Sequence, residues 1–115
     1  MIANTPEPPY YAVIFTSVRT DADTNGYAKM AQRMLDLAAT QPGFLGAESA
    51  RNETGITVSY WRNLEAIRHW KANSEHLIAQ TLGRSIWYRE FKLRICLVER
   101  DYGFHQPPAS NSPLQ

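Results

Sequence analysis

Apolar and polar positions repeat along this chain with two different periods, and the change from one to the other predicts where strands and helices lie. Residues 10–19 alternate with a period of two, with Val13 and Phe15 on one face and Ile14 on the other. Such alternation is typical of a strand, and apolar side chains on both faces favour cover on both sides. Residues 27–38 repeat apolar groups at helical spacing, which predicts an amphipathic helix.

The second half of the chain predicts a hairpin, a helical region and a long last strand. Residues 44–52 and 56–62 are short apolar segments that flank a loop, in which Gly55 is available for a positive φ angle. Residues 63–83 return to helical spacing, as one bent helix or as two short ones, and residues 89–102 alternate again. The order of elements is therefore β-α-β-β-α-β.

This order predicts an α+β, ferredoxin-like fold with a four-stranded antiparallel sheet and both helices on one face. The other face of the sheet then has no cover within one chain. Because the strands carry apolar residues on both faces, a monomer exposes a large apolar surface, and a second copy is the simplest partner that buries it. We therefore expect a homodimer that packs through its sheet faces.

One domain accounts for the folded part of the chain, which we place at residues 10–102. Residues 1–9 contain three prolines among polar neighbours, and residues 103–115 are rich in proline, serine and asparagine. Both compositions are typical of tails rather than of a packed core. We therefore expect a flexible N-terminal tail and a Pro/Ser-rich C-terminal tail.

Charge and cysteine content narrow the choice of partner and compartment. Twelve basic and eleven acidic residues leave a formal charge of +1 without a run of like charge, which argues against a nucleic acid or an anionic membrane as partner. The single cysteine, Cys96, lies within an apolar strand pattern and fits a buried thiol in a reducing compartment. The sequence has neither a bilayer-length apolar stretch nor a signal-peptide pattern, so we expect a cytoplasmic protein whose partner is a small, partly apolar molecule.

The stretch from Trp61 to Tyr88 concentrates the residues that suggest chemistry. It contains all three tryptophans, two of the three histidines and an arginine in the connection between the helix and the last strand. We expect an aromatic pocket between sheet and helices, with His76 and Arg84 as its polar groups. Its expected lining consists of Trp61, Trp70, Trp87 and Tyr88. Packing in the core is the alternative interpretation of each of these aromatic residues.

The spacing of the histidines argues against a metal site. His69 and His76 are separated by roughly 10 Å on a straight helix, which is too far for them to share one ion. The sequence has no pair of cysteines and no carboxylate cluster that would complete a site, and its glycines do not form a phosphate-binding motif. We therefore expect neither a metal nor a nucleotide cofactor.

Three segments within the folded part resemble the antibiotic-biosynthesis monooxygenase family of the dimeric α/β barrel superfamily. They are QPGFLG at residues 41–46, ITVSYW at residues 56–61 and AIRHWKANSEHLIAQ at residues 66–80. The resemblance implies a dimeric α/β barrel in which each subunit holds a pocket between its helices and its sheet. It also implies one of several activities: oxygenation of polycyclic phenols without a cofactor, degradation of haem, or processing of small signalling molecules.

Two positions distinguish this chain from the haem-degrading branch of that family. Trp70 matches a tryptophan of the branch, but Gln80 stands where the branch has a haem-ligating histidine. The first strand reads IFTS at residues 14–17 and lacks the asparagine that the branch carries there. Both differences favour cofactor-free oxygenation of a small aromatic or polycyclic phenol over haem degradation.

For that reaction we assign roles to four side chains as a hypothesis. His76 removes the phenolic proton, Arg84 steadies the oxyanion, and Trp70 and Trp87 hold the ring, while the electron-rich anion reduces dioxygen directly. The resemblance itself implies only the aromatic pocket and Trp70. Two alternatives stay open: a non-catalytic dimer that binds a hydrophobic metabolite or acts in stress protection, and a protein that binds haem through other residues.

Overall fold

The structure, a computed structural model, describes residues 2–81 and 86–108, with the side chains of residues 76–81 excepted. The elements are β1 (Tyr10–Arg19), α1 (Thr24–Ala39), β2 (Phe44–Arg51), β3 (Thr54–Trp61), α2 (Leu64–Thr81) and β4 (Tyr88–Val98). Their order is the predicted one, and the ferredoxin-like α+β fold is confirmed.

The four strands form one antiparallel sheet with the spatial order β2-β3-β1-β4. In the central strand β1, Val13 pairs with Ser59 of β3 on one side and with Ile95 of β4 on the other. Because paired residues of an antiparallel sheet point to the same face, this register fixes which side chains face the helices. Val13 lies in one buried cluster with Ala38 of α1 and Ile67 of α2, so its row marks the helix side of the sheet.

Asp23 fixes the start of α1 against the chain that enters β4. Its carboxylate accepts a hydrogen bond from the backbone N–H of Gly26 at 3.1 Å, which satisfies a donor of the first turn. A Cβ at position 26 would lie 2.0 Å from the same carboxylate, so glycine is needed there for space. The second carboxylate oxygen accepts a hydrogen bond from Nε1 of Trp87 at 3.1 Å.

The second helix, α2, is one continuous helix rather than two short ones. Asn63 precedes it, and its side-chain oxygen accepts a hydrogen bond from the N–H of Ala66 at 2.8 Å. In the middle of the helix, the hydroxyl of Ser74 donates to the carbonyl oxygen of Lys71 at 3.1 Å and does not begin a second helix. Over the residues that the structure describes, no helix is both long and apolar enough to cross a membrane.

The core between helices and sheet consists of two separate clusters of buried residues. The first cluster contains Val13, Ala38, Trp61, Ala66 and Ile67. The second cluster contains Met30 and Trp87, with Tyr27, Met34, Leu37 and Tyr88 packed against them. Along β1, Tyr11 pairs with Trp61 whereas Arg19 pairs with Tyr88. At the usual rise of a strand, the backbone positions of Trp61 and Tyr88 are therefore about 26 Å apart along the sheet.

One row of apolar side chains on the helix side of β4 is only partly covered. The row consists of Phe91, Leu93, Ile95 and Leu97, which are 39% to 49% exposed. The register with β1 places this row, which we call the β4 strip, on the side of the sheet where the helices lie. The strip is therefore an apolar surface beside the helix layer, and not part of the face that is expected to meet a second copy.

The open face of the sheet, opposite the helices, has an apolar centre and a charged edge. Ile14 of β1 pairs with Val58 of β3 at the centre, while β4 contributes Lys92 and Arg94 along one edge. The apolar surface that could meet a second copy is therefore narrower than the sequence pattern predicts, since one of the four strands presents charged side chains to it.

The N-terminal segment that precedes β1 contacts one corner of the open face. The N–H of Ala3 donates to Oε2 of Glu48 at 2.8 Å, and the hydroxyl of Thr5 donates to the hydroxyl oxygen of Tyr10 at 3.0 Å. The Tyr10 hydroxyl donates in turn to the carboxylate of Asp101, and this hydrogen bond raises the pKa of Tyr10. Chain segments before the first strand and after the last one thus meet at Tyr10.

Candidate functional site

Trp61 and Trp70 lie together in the first buried cluster. Trp61 has no exposed surface, and its Nε1 donates to the hydroxyl oxygen of Ser59 at 2.9 Å. The rings of Trp61 and Trp70 stack with centroids 6.0 Å apart, and Phe44 meets Trp61 edge to face at 5.3 Å. Trp61 therefore packs in the core, whereas Trp70 is only partly buried against it.

Trp87 and Tyr88 lie in the second cluster, at the opposite end of the sheet. Trp87 is 5% exposed, and the rings of both residues meet Tyr27 edge to face, at centroid distances of 6.0 and 5.7 Å. About 26 Å of strand separates them from Trp61. The structure therefore does not bring the four predicted aromatic residues into one pocket, because each end of the core contains two of them.

The two polar residues assigned to catalysis fall outside the described side chains. His76 lies within α2, but its side chain belongs to the part of the helix whose side chains the structure does not describe. Arg84 lies between the two described ranges of the backbone. The roles assigned to His76 and Arg84 remain predictions.

His69 lines an open groove at the end of the sheet where Trp61 lies. The groove has a volume of about 410 Å³ and runs between the α1–β2 and β3–α2 connections. Its lining residues are Gln41, Pro42, Gly43, Arg62, Asn63, Glu65, Ala66 and His69. Within the described residues, no three His, Cys, Asp or Glu side chains come together in a group that could hold a metal ion. The groove thus places the exposed His69 beside Arg62, far from the second cluster.

Two arginines that lie beside the second cluster were not singled out by the sequence. The Cζ atom of Arg19 lies 3.7 Å from the centroid of the Tyr27 ring, and that of Arg51 lies 5.7 Å from the same centroid. Arg19, at the end of β1, also donates hydrogen bonds to two backbone carbonyl oxygens at 3.1 and 3.4 Å. We call Arg19, Tyr27, Arg51 and Tyr88 the arginine–tyrosine cluster.

Gly55 provides the space that Arg51 occupies. From the end of β2, the side chain of Arg51 crosses β3 at Gly55 and donates a hydrogen bond from Nη2 to the buried hydroxyl of Ser17 in β1. A Cβ on Gly55 would lie 2.1 Å from Nη2 and 2.2 Å from Cζ of Arg51. The expectation of a positive φ at Gly55 is wrong, because among the described glycines Gly43 and Gly46 have a positive φ and Gly55 does not. The absence of a side chain is what position 55 requires.

The arginine–tyrosine cluster carries two positive charges, and no hydrogen bond of the described residues joins either of them to a carboxylate. The hydrogen bonds that Arg19 and Arg51 make to described residues go to two backbone carbonyl oxygens and to the Ser17 hydroxyl, and none of these acceptors is charged. Burial, followed by the proximity of Tyr27 and its hydrogen bond, raises the pKa of Tyr88, and the two arginines oppose this shift only in part. Because the Tyr88 hydroxyl therefore stays protonated at neutral pH, the cluster combines positive charge with hydroxyl groups, a combination that suits an anion.

The β4 strip begins directly at this cluster. Phe91, its first residue, pairs with Ser17, the residue that accepts the hydrogen bond of Arg51. The rings of Phe15, Tyr88 and Phe91 contact one another at centroid distances of 5.4 to 5.7 Å. An apolar surface therefore leads away from the positive charges along β4, and this arrangement fits a flat apolar molecule with an anionic end.

Sequence reasoning missed the two arginines because they lie outside the stretch that concentrates histidine and tryptophan. Arg19 ends the first strand and Arg51 ends the second, so only the folded sheet brings them to one ring. The sequence did not predict the position of Arg51, because a loop at residues 52–55 pairs Arg51 with Ile56, whereas in the structure Arg51 pairs with Gly55. An arginine opposite a glycine has room to reach across the neighbouring strand.

Comparison with known proteins places this fold among related chains. The sequence model of the antibiotic biosynthesis monooxygenase family matches residues 9–82. The uncharacterized protein YqjZ of Bacillus subtilis (strain 168) is 51% identical over 107 residues, a match that covers 91% of this chain and 93% of the relative.

Solved structures share the fold at much lower identity. PA3566 from Pseudomonas aeruginosa superposes with a TM-score of 0.64 at 14% identity, over 84% of this chain and 99% of that protein. SnoaB, a cofactor-independent oxygenase from Streptomyces nogalater, superposes with a TM-score of 0.61 at 16% identity, over 86% of this chain and 97% of SnoaB. At such identities the two structures show a common fold and nothing about the substrate of this chain.

Proposed function

Because the chain belongs to the antibiotic biosynthesis monooxygenase family, we propose that it is a monooxygenase that oxidises a small aromatic or polycyclic phenol with dioxygen and without a bound cofactor. The observation that carries this proposal is the β4 strip, an exposed apolar surface that ends at the two guanidinium groups of the arginine–tyrosine cluster. An apolar surface with a cationic end suits a ring that loses the proton of its hydroxyl group.

The proposed reaction balances without a cofactor. A phenol with a free ring position takes up one dioxygen molecule, and one oxygen atom enters the ring. The other oxygen atom leaves as water with the two hydrogen atoms that the phenol loses, so the product is a quinone. Since all the electrons that reduce dioxygen come from the substrate, the task of the protein is to remove the phenolic proton and to stabilise the anion.

Four side chains share that task in the proposal. His76 of α2 is the base that accepts the phenolic proton, and Arg84 stabilises the oxyanion. Arg19 and Arg51 add positive charge, which lowers the pKa of a phenol that binds next to them. The charge of these two arginines supports the proposal independently of His76 and Arg84, because the structure describes both of their side chains.

The aromatic contacts of the substrate are proposed at the end of the core where Tyr88 lies. Trp87 is almost entirely buried there, so Tyr88 and Phe91 supply the accessible ring surface beside the arginines. Trp70 lies at the other end of the core, with Trp61. A polycyclic substrate that follows the β4 strip extends from Phe91 toward that end, whereas a single small ring contacts only the first.

We also propose that the protein acts as a homodimer packed through the open faces of its sheets. The apolar centre of that face, at Ile14 and Val58, supports this arrangement. Because the β4 strip lies on the helix side, pairing through the open faces leaves the proposed substrate site of each subunit accessible.

Oxygen consumption tests the proposed activity. Protein that has been freed of metals with a chelator is mixed with 1-naphthol, and dissolved oxygen and product mass are followed together. We expect one dioxygen molecule to be consumed for each naphthol that gains one oxygen atom and loses two hydrogen atoms. His76→Ala should lose most of this activity, and His69→Ala, which changes an exposed histidine in the groove beside Arg62, is the matched control.

The outcomes separate the function from the role of one residue. If no phenol in a panel of naphthols and dihydroxynaphthalenes causes oxygen uptake, the oxygenase function is refuted, and binding of the same phenols would then support a non-catalytic binding protein. If His76→Ala consumes oxygen at the rate of the unchanged protein, His76 is not the base.

A further inference from the structure

We propose that Arg19 and Arg51 together bind a carboxylate group of the substrate, and that the substrate class is therefore an aromatic carboxylic acid whose rings lie along the β4 strip. This inference rests on the proposed function for the identity of the ligand as substrate. The binding site itself follows from the geometry of the arginine–tyrosine cluster.

Arg19 and Arg51 bring positive charge to the same aromatic ring, that of Tyr27. The Cζ atoms of Arg19 and Arg51 lie 3.7 and 5.7 Å from one ring centroid, so the two positive charges are at most 9.4 Å apart. Like charges within that distance repel each other, and the hydrogen bonds that both arginines make to described residues go to uncharged groups. A bound anion would remove this repulsion, and a carboxylate is the planar anion that guanidinium groups match in geometry.

Both arginines keep N–H groups that no described residue accepts. Arg19 uses Nε and Nη2 for backbone carbonyl oxygens, which leaves Nη1 without a hydrogen bond to any described residue. Arg51 donates from Nη2 to Ser17, and its Nε and Nη1 make no hydrogen bond to any described residue. The bonds that these arginines do make hold both side chains in place. The donors that remain are therefore held in position for a ligand before it arrives.

The cationic site continues into an aromatic surface. Phe91 pairs with Ser17, and Ser17 is bonded to Arg51, so the strip starts one residue pair away from the charge. Phe15 and Tyr88 complete the ring surface at this end. A ligand with a carboxylate on a fused ring system satisfies both halves of the site at once, whereas a free inorganic anion satisfies only one.

Calorimetric titration with 1-hydroxy-2-naphthoate and with 1-naphthol tests the proposal. The two molecules share the fused rings and the hydroxyl group, and only the first carries a carboxylate. We expect the naphthoate to bind the unchanged protein at least about tenfold more tightly, since its carboxylate accepts charge-assisted hydrogen bonds that 1-naphthol cannot make. Raising the NaCl concentration from about 0.05 M to about 0.5 M should weaken the binding of the naphthoate and leave the affinity for 1-naphthol unchanged.

Arg51→Gln is the matching variant, with Arg62→Gln as control because Arg62 lies in the groove near His69. Arg51→Gln should remove the preference for the naphthoate without changing the affinity for 1-naphthol, and circular dichroism verifies that each variant is folded. Equal affinity of the unchanged protein for the two ligands overturns the proposal, and this measurement needs no variant. The proposal is also overturned if Arg51→Gln weakens self-association but not naphthoate binding, since Arg51 would then contact a second copy of the chain.

Failure of this inference and failure of the proposed function give different results. Tight, Arg51-dependent binding of the naphthoate, with no oxygen uptake from it or from any phenol of the panel, supports the carboxylate site and refutes the oxygenase. Oxygen uptake with 1-naphthol and no preference for the naphthoate refutes the carboxylate site and supports the oxygenase.

Discussion

Gly55→Ala is a test of how the fold positions Arg51, because the substitution changes neither charge nor hydrogen-bonding groups. The new Cβ would lie 2.1 Å from Nη2 of Arg51, a distance that no carbon and nitrogen atoms without a bond can keep. Gly55 has an ordinary strand backbone, so alanine fits the main chain. The conflict is therefore resolved at the far end of the Arg51 side chain, which must leave Ser17.

The expected change in stability is small because two contributions oppose each other. Loss of the hydrogen bond between the Arg51 guanidinium and the buried Ser17 hydroxyl costs about 1.5 kcal/mol. Replacement of a strand glycine by alanine raises the free energy of unfolding by about 0.5–1 kcal/mol, because the unfolded chain has a lower entropy. The free energy of unfolding should fall by about 0.5–1 kcal/mol, which corresponds to a decrease in Tm of about 2–5 °C for a domain of this size.

The expected change in binding is larger and specific. Gly55→Ala should weaken the binding of 1-hydroxy-2-naphthoate about tenfold, as is expected for Arg51→Gln, and leave the affinity for 1-naphthol unchanged. Because both substitutions remove the same guanidinium group from the same place, the double variant should bind no more weakly than either single variant. If Gly55→Ala binds the naphthoate as tightly as the unchanged protein while Arg51→Gln does not, the path of Arg51 across β3 is wrong. Additive losses in the double variant would equally contradict the reasoning.

Two further predictions concern the open face of the sheet. The Tyr60 hydroxyl donates to Oε1 of Glu48 at 2.6 Å; this bond is the main cause that lowers the pKa of Glu48, and burial raises the pKa of Tyr60 to about 12. Tyr60→Phe should therefore lower the free energy of unfolding by about 1 kcal/mol at pH 7. This loss should become smaller below pH 4.5, where Glu48 becomes protonated, and between pH 10 and 12, where Tyr60 ionises. Chemical denaturation at a series of pH values measures it. A cost that stays constant across this range would contradict the pairing. Val58→Asp should shift the sedimentation of the protein from dimer to monomer, because it places a charge at the apolar centre of the open face. Ser49→Asp, on the helix side of the sheet, is the control and should leave the dimer intact. A dimer that survives Val58→Asp does not pack through its open faces.

Local patterns in the sequence predict the elements of this fold well. Alternation in residues 10–19 and helical spacing in residues 27–38 each depend on the side chains within one element, and the structure has a strand and a helix there. The polar residues around Ser74 left one helix or two as alternatives, because a serine caps a new helix or bonds back to the preceding turn with the same hydroxyl. The contact with the Lys71 carbonyl, which decides between them, is visible only in the folded chain.

The candidate site was harder to predict because its parts are distant in sequence. Trp61 and Trp87 bracket the stretch that looked like one pocket, but an 18-residue helix lies between them and spans about 27 Å. That helix carries the chain from one end of the sheet to the other, so closeness in sequence becomes separation in space. Arg19 and Arg51 show the reverse, since the antiparallel register brings the ends of two strands to the same ring.

Which face of β4 meets the helices also required the structure. A period of two assigns Phe91 and Lys92 to opposite faces, but the period is symmetrical and does not say which face is which. Pairing of Phe91 with Ser17 supplies that information. The register places the most apolar row of the strand on the helix side of the sheet, where the substrate is proposed to bind, and not on the expected dimer surface.

The wide spacing of the tryptophans gives the molecule two intrinsic optical probes. Trp61 and Trp70 emit from one end as a stacked pair, and Trp87 emits from the other, where its indole N–H is bonded to Asp23. A variant that keeps only Trp87 would give a fluorescence signal that comes from the neighbourhood of the arginines alone. Events at the two ends of the sheet can thus be observed in solution one at a time, without attaching a dye.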